Sequence, residues 1–207
     1  MVVEFAGSPK AGKSTNIEIL VHFFKRMKFK VWAPVEGASR RTPYHLKRDL
    51  VAFNAWSLNY AISEILVAFY NVDRHDLVIL DRGPFDSLAW MNLLQKRGAL
   101  SKEDLCKIEQ FALLGKWWDM VSVVYLFTCN PAISLQREGQ SKLTSRQGIA
   151  MNPEMLAELR TEYGAWPSSE RIKQIDTTKT AGPLDTAYPI AVDIIERFKT
   201  KLKGMTR

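Results

Sequence analysis

Gly7-Ser8-Pro9-Lys10-Ala11-Gly12-Lys13-Ser14-Thr15 decides the reading of this chain, because it matches the phosphate-loop pattern G-x-x-x-x-G-K-[ST] in full. The apolar run Val2, Val3, Glu4, Phe5, Ala6 precedes it and predicts a buried strand. Behind it, Ile17, Ile19, Leu20, Phe23, Phe24 and Met27 recur near helical spacing. A glycine-rich loop between a strand and a helix turns backbone N–H groups toward phosphate, and the helix adds the positive end of its dipole. Residues Gly7 to Thr15 are therefore the predicted nucleotide-binding loop. Lys13 is expected to neutralise the transferring phosphate, and the Ser14 hydroxyl to ligate Mg²⁺. ATP and Mg²⁺ are the cofactors this implies.

Outward from the loop, strand-like runs at Lys30 to Val35, Leu77 to Leu80, Val121 to Phe127 and Arg171 to Ile175 alternate with helix-length segments. That alternation predicts an α/β chain with a five-stranded parallel sheet between layers of helices, in one domain over residues 1–207. Ligands of such sheets bind beyond the carboxyl ends of the strands, so the residues just after each strand are the ones to inspect. After the second strand comes Glu36, placed to accept a proton from an attacking hydroxyl or to sit in an ordinary exposed loop. Arg40 and Arg41 follow it, as phosphate ligands or as solvated charges. The third strand ends in Leu77-Val78-Ile79-Leu80-Asp81, a hydrophobic run closed by an acid that would hold Mg²⁺ opposite Ser14. Arg82, next in line, suits spread oxyanion charge, and Phe85 and Asp86 close the group.

The segment from His45 to Tyr70 is apolar around more than one helix face, which predicts cover on two sides. Phe53, Asn54 and Trp56 on it either stack on and hydrogen-bond a nucleobase or belong to the core and a subunit interface. Following the fourth strand, a short helix leads into the basic, glycine-punctuated run Gln136 to Gly148. It reads as a lid over approximately 137–150 that brings Arg137, Lys142 or Arg146 onto the transferring charge. No Asn-Lys-x-Asp guanine-reading motif is present, which favours ATP over GTP as donor.

Composition bounds these expectations. The 207 residues are 46% hydrophobic, enough for a substantial core. Cys106 and Cys129 alone make neither a disulfide framework nor a zinc site. The first strand begins at the N-terminus and no apolar run reads as long enough to span a bilayer, so a cytoplasmic protein without membrane contact is expected. Lys and Arg exceed Asp and Glu by 29 to 22, a net charge of +7 that suits polyanionic ligands.

The loop, Glu36, the Asp81-Arg82 pair and the Arg137 to Arg146 lid together resemble the thymidylate kinase and deoxynucleoside kinase superfamily across nearly the whole chain. Asp81-Arg82-Gly83-Pro84-Phe85-Asp86 is similar to the Asp-Arg-x-x-x-Ser of thymidylate kinases, with Asp86 in place of serine, and to the Glu-Arg-Ser of deoxynucleoside kinases. By that likeness Asp81 assists Mg²⁺ and Arg82 contacts the acceptor's phosphate or 5′ oxygen. Ala33-Pro34-Val35-Glu36 resembles the Pro-Glu-Pro context of the deoxynucleoside kinase base, and Phe53-Asn54 the Phe-Gln that reads the nucleobase. The resemblance implies the nucleotide-kinase fold and transfer of the ATP γ-phosphate to the hydroxyl of a nucleoside-like acceptor. That acceptor would be bounded by Glu36, Arg40, Phe53, Asn54, Arg82, Phe85 and Asp86.

The His45 to Tyr70 helix and the helix carrying Leu88, Trp90, Met91, Leu93 and Leu94 are richer in apolar surface than one core side requires, and a two-fold homodimer through them, as in the resembled family, is expected. Three alternatives stay open at this point. A nucleoside monophosphate kinase would use Arg40, Arg41 and Arg82 on the acceptor's phosphate and need no base. An ATP-binding switch or nucleic-acid-binding module would use the positive balance and the tail residues Arg197, Lys199, Lys201, Lys203 and Arg207. A kinase acting on a nucleic-acid 5′-hydroxyl would combine both.

Overall fold

Alternate residues of the strand next to the loop face opposite layers, and this divides the core in two. β1 (Val2–Gly7) sends Val2 and Ala6 to one side and Val3 and Phe5 to the other, all buried. The computed structural model describes residues 1–34, 42–71, 75–141 and 150–205. Within them, β2 (Val31–Trp32), β3 (Leu77–Asp81), β4 (Val121–Thr128) and β5 (Ile172–Asp176) join β1 in a sheet of order β2-β3-β1-β4-β5. Every pairing is parallel, so all five carboxyl ends lie at one edge.

On the face bearing Val3, Phe5, Leu77, Ile79, Val123, Tyr125 and Phe127 lie α1 (Lys13–Arg26) and α8 (Leu184–Met205), through Leu20, Phe24, Ile190 and Ile194. The opposite face, with Val2, Ala6, Val78, Leu80, Val124 and Leu126, is covered by α2 (Leu50–Tyr70), α3 (Pro84–Lys96) and α7 (Pro153–Gly164). Between α3 and β4 run α4 (Lys102–Ala112) and the single turn α5 (Gly115–Trp118). α6 (Pro131–Ser141) follows β4. Strands covered on both faces read as near-continuous apolar runs, which is why β1, β3 and β4 fall where the sequence places them, while the half-buried β2 and β5 form the sheet edges.

Four readings of these elements differ from expectation, two of them with a local cause. β2 stops at Trp32, since Pro34 has no N–H to give a ladder. The expected single helix from His45 is instead a 3₁₀ turn (Tyr44–Arg48) and then α2. The break is Asp49, extended at φ −114°, whose Oδ1 accepts from Val51 N at 2.9 Å and Ala52 N at 3.1 Å. Gln136 to Ser141, expected within the lid, continues α6. By length and composition α2 is also able to cross a membrane, contrary to expectation; here Leu58, Ala61, Ile62, Ile65 and Ala68 are buried against the chain itself.

Candidate active site

Gly7 ends β1 at φ +136°, and a Cβ there would lie 1.9 Å from the carbonyl oxygen of Phe127 on β4. Only glycine lets the chain pass so close to its neighbour. Ser8 N then donates to that carbonyl at 2.9 Å, and Lys10 and Gly12 take left-handed backbone at φ 58° and 93°. The next four carbonyls are each held from outside. Ser134 Oγ donates to Pro9 O at 3.0 Å, Arg137 Nη1 to Lys10 O at 3.2 Å, Thr177 Oγ1 to Ala11 O at 3.0 Å and Asn16 Nδ2 to Gly12 O at 2.9 Å. In a trans peptide C=O and N–H point opposite ways, so this grip turns the Lys10, Gly12 and Lys13 amides away from the side chains that hold the carbonyls.

α1 begins at the end of the loop with no capping side chain and no acid in its first turn, leaving its amides for an anion. The buried Ser8 Oγ has no hydrogen-bond partner among the described residues. Lys13, itself buried, bonds Gly7 O at 2.7 Å and Ser8 O at 2.9 Å, which keeps its ammonium inside the loop. These features fit a triphosphate. The Ser14 hydroxyl donates to Asp81 Oδ2 at 3.0 Å, uniting the two expected metal ligands. Among the described residues no group of three His, Cys, Asp or Glu gathers into a metal cage. A hydroxyl and one carboxylate fit Mg²⁺, which takes few protein ligands and completes its shell with phosphate oxygens and water.

Arg82 follows Asp81 in left-handed backbone at φ 65°, a conformation that costs a non-glycine residue about 1–3 kcal/mol. Its guanidinium meets Asp86 Oδ2 at 2.7 Å. The other oxygen of Asp86 accepts from Gly7 N at 2.9 Å and from the Tyr163 hydroxyl at 2.8 Å. Below them Glu4 is fully buried in β1, accepting from the amides of Gly83 (3.1 Å), Phe85 (3.3 Å) and Asp86 (2.8 Å) at the start of α3. Burial raises its pKa to about 8, against the pull of those three donors. A Cβ at Gly83 would meet the Glu4 carboxylate at 2.4 Å, so glycine is required for this approach. Burial, and next the Asp86 charge, also hold the Tyr163 phenol well above its ordinary pKa.

Thus the loop, Ser14, Asp81 and Arg82 meet at one sheet edge, as expected. Several expected acceptor residues do not. Phe85, 1% exposed, packs between Trp118 (centroids 5.9 Å apart) and Trp166 (4.3 Å), so it is core and not pocket lining. Asp86 is buried and bonded to three groups of this chain, which makes it internal scaffolding. Asn54 is buried with Nδ2 turned back onto Leu50 O at 2.8 Å, a helix-internal contact in place of base reading; Phe53 beside it is half-buried. Arg137 also bonds Thr177 Oγ1 and O, both at 3.0 Å, so it straps α6 to the loop and to the end of β5. Among the tail residues, Arg197 binds Asp193 at 2.9 Å and the carbonyls of Ser122 and Glu170. Glu36, Arg40 and Arg41, like Lys142 and Arg146 of the expected lid, lie outside the described residues.

Glu4, Tyr163, Ser134 and Thr177 were missed by sequence reasoning. A charged residue inside an apolar strand was the available sign for Glu4. The others reach the loop from 125 residues away at Ser134–Pro9 and 166 at Thr177–Ala11, and no local pattern marks them.

No protein-family model and no curated protein sequence matches the chain. Among solved structures it is similar to that of deoxyadenosine kinase from M. mycoides with bound dATP. The likeness covers 95% of this chain and 100% of that one at 15% identity, with a TM-score of 0.63. It shows the fold, an α/β arrangement with a five-stranded parallel sheet flanked by helices as in a P-loop kinase.

Proposed function

We propose that this chain is a phosphotransferase that moves the γ-phosphate of ATP, with Mg²⁺, to the hydroxyl of a nucleoside-like small molecule. The observation that carries the reading is the convergence of the gripped loop, the Ser14–Asp81 pair and Arg82 at one sheet edge. The structural likeness to a kinase solved with dATP supports a nucleotide in that place.

When bound, Mg²⁺ would supply charge neutralisation between the phosphates, held through Ser14 and Asp81. Lys13 and the loop amides bind and orient the triphosphate. Arg82 meets the negative charge that spreads over the transferring group, where a planar guanidinium with several donors is most useful. Glu36 accepts the proton of the attacking hydroxyl. Its assignment stands on its place in the sequence after β2, as do those of Arg40 on the acceptor side and Arg146 on the donor side. Phe53 remains the acceptor-side aromatic; Asn54, Phe85 and Asp86 leave that set for the reasons of burial given above.

ADP release from Mg-ATP, measured against nucleosides, their 5′-monophosphates and a short oligonucleotide, tests this reading with Glu36→Gln alongside. Turnover of a nucleoside that falls by about 10²-fold or more in Glu36→Gln is the expected result, the usual range for a general base. Turnover confined to monophosphates and indifferent to the substitution would overturn it in favour of a monophosphate kinase. Silence across the panel, with salt-sensitive oligonucleotide binding, would favour the ATP switch.

A further inference from the structure

Arg82 is held by a chain of contacts that the transfer chemistry does not itself require. Its backbone is left-handed, its amide donates to Phe5 O at 3.0 Å and its guanidinium is paired with a carboxylate that is nearly inaccessible to solvent. That carboxylate, on Asp86, bonds the amide of Gly7, the first residue of the phosphate loop, and the hydroxyl of Tyr163 on α7. Three elements that are far apart in sequence therefore meet on one side chain: the end of β1, the start of α3 and the end of α7. An uncompensated Asp86 charge at this depth would be costly. Arg82, Gly7 N and Tyr163 OH together satisfy it, and each in turn is fixed by it.

We infer that Asp86 and Tyr163 are positioning residues that fasten Arg82 to the phosphate loop, so that the guanidinium and the loop amides keep one mutual geometry. The inference rests on the phosphotransfer reading above for its consequence in catalysis, and on the contacts alone for the fastening. Because Arg82 acts on charge that develops during transfer, misplacing it lowers kcat more than it raises KM for ATP.

Two arms test this. In the kinetic arm, Asp86→Asn lowers kcat at least tenfold on the best nucleoside of the panel, with KM for ATP within threefold of wild type. Arg82→Ala combined with Asp86→Asn is no slower than Arg82→Ala alone, since Asp86 acts through Arg82. Additive losses, as from a general weakening of the fold, would overturn the inference. Tyr163→Phe, a change of one hydroxyl, gives a three- to tenfold loss that likewise vanishes on the Arg82→Ala background, and it serves where Asp86→Asn does not fold.

In the second arm, the ligand-free protein is followed by NMR. Asp86→Asn or Tyr163→Phe speeds exchange of the Arg82 guanidinium protons and moves the Gly7 amide upfield. Unchanged Arg82 exchange in both variants would overturn the fastening. If wild type turns over no acceptor while these resonances respond as stated, the kinase reading fails and the fastening stands.

Discussion

At Gly7 one methyl group separates a formed loop from a broken one. A Cβ 1.9 Å from a strand carbonyl cannot be relieved by rotating a side chain, because the obstacle is the backbone of β4. Gly7→Ala is expected to lower the thermal midpoint and abolish ATP binding together. Lys13→Ala, which removes the ammonium that bonds Gly7 O and Ser8 O together with its methylene stem, should keep the midpoint within a few degrees and lose ATP binding in calorimetry. An unaltered ATP affinity in Lys13→Ala would refute the role given to that side chain.

Glu4 carries a pH signature. Its carboxyl keeps a proton to about pH 8 in the folded chain against an ordinary value of 4.5, so folding takes up a proton between those values. This contribution to stability is whole below about pH 4, declines as pH rises at up to about 1.4 kcal/mol per unit, and is gone above about pH 8. Glu4→Gln should flatten urea-denaturation stability across pH 5 to 8 relative to wild type; equal slopes would contradict the assignment. Gly7, Lys13, Ser14, Asp81 and Arg82 were legible in the sequence, because the motif that reveals them is the same local backbone that positions them. Asp86, Phe85 and Asn54 were legible as residues but not in their roles, since whether a side chain faces a pocket or the interior is settled by α3 and α7 packing, not by neighbours in sequence.

At the scale of elements, the strands were readable chiefly because the three central ones, β3, β1 and β4, are largely apolar and buried on both faces, whereas the edge strands β2 and β5 are only half-buried. Breaks within apolar segments were not. Asp49 interrupts the segment from His45 to Tyr70 by accepting from the amides of Val51 and Ala52, a cap that apolar periodicity does not show. Asp49→Ala should cost about 1 kcal/mol of unfolding free energy with ATP binding intact; no loss by chemical denaturation would refute the cap. The loop too depends on other elements. With Ser134 and Arg137 on α6 and Thr177 beyond β5 holding its carbonyls, the element that precedes the basic segment is tied to the loop it would serve. Thr177→Val, which removes the hydroxyl donated to Ala11 O, is expected to raise KM for ATP several-fold with kcat little changed. A fall in kcat at constant KM would place Thr177 in the transfer step instead.

For the molecule as a whole, a parallel sheet brings the ends of β1 and β3 side by side, so residues 67 positions apart in sequence, Ser14 and Asp81, come within a hydrogen bond. That is how one strand–loop–helix motif pointed to the sheet edge where the loop, Ser14, Asp81 and Arg82 gather. Leu88, Met91, Leu93 and Leu94 on α3, read from the sequence as surplus apolar surface, are buried within the chain itself. Exposed apolar residues near the end of α2, Val67, Phe69 and Tyr70, are what remains of that expectation.

If the gathered loop, Ser14, Asp81 and Arg82 deliver a phosphoryl group to a carbon-bound hydroxyl, the product is a phosphate monoester. Phosphorus NMR of Mg-ATP with the protein and a nucleoside mixture tests it most directly. ADP and a new phosphate monoester on a nucleoside are expected to grow in equal amounts. Inorganic phosphate as the sole product, or a new diphosphate formed only when monophosphates are supplied, would contradict it.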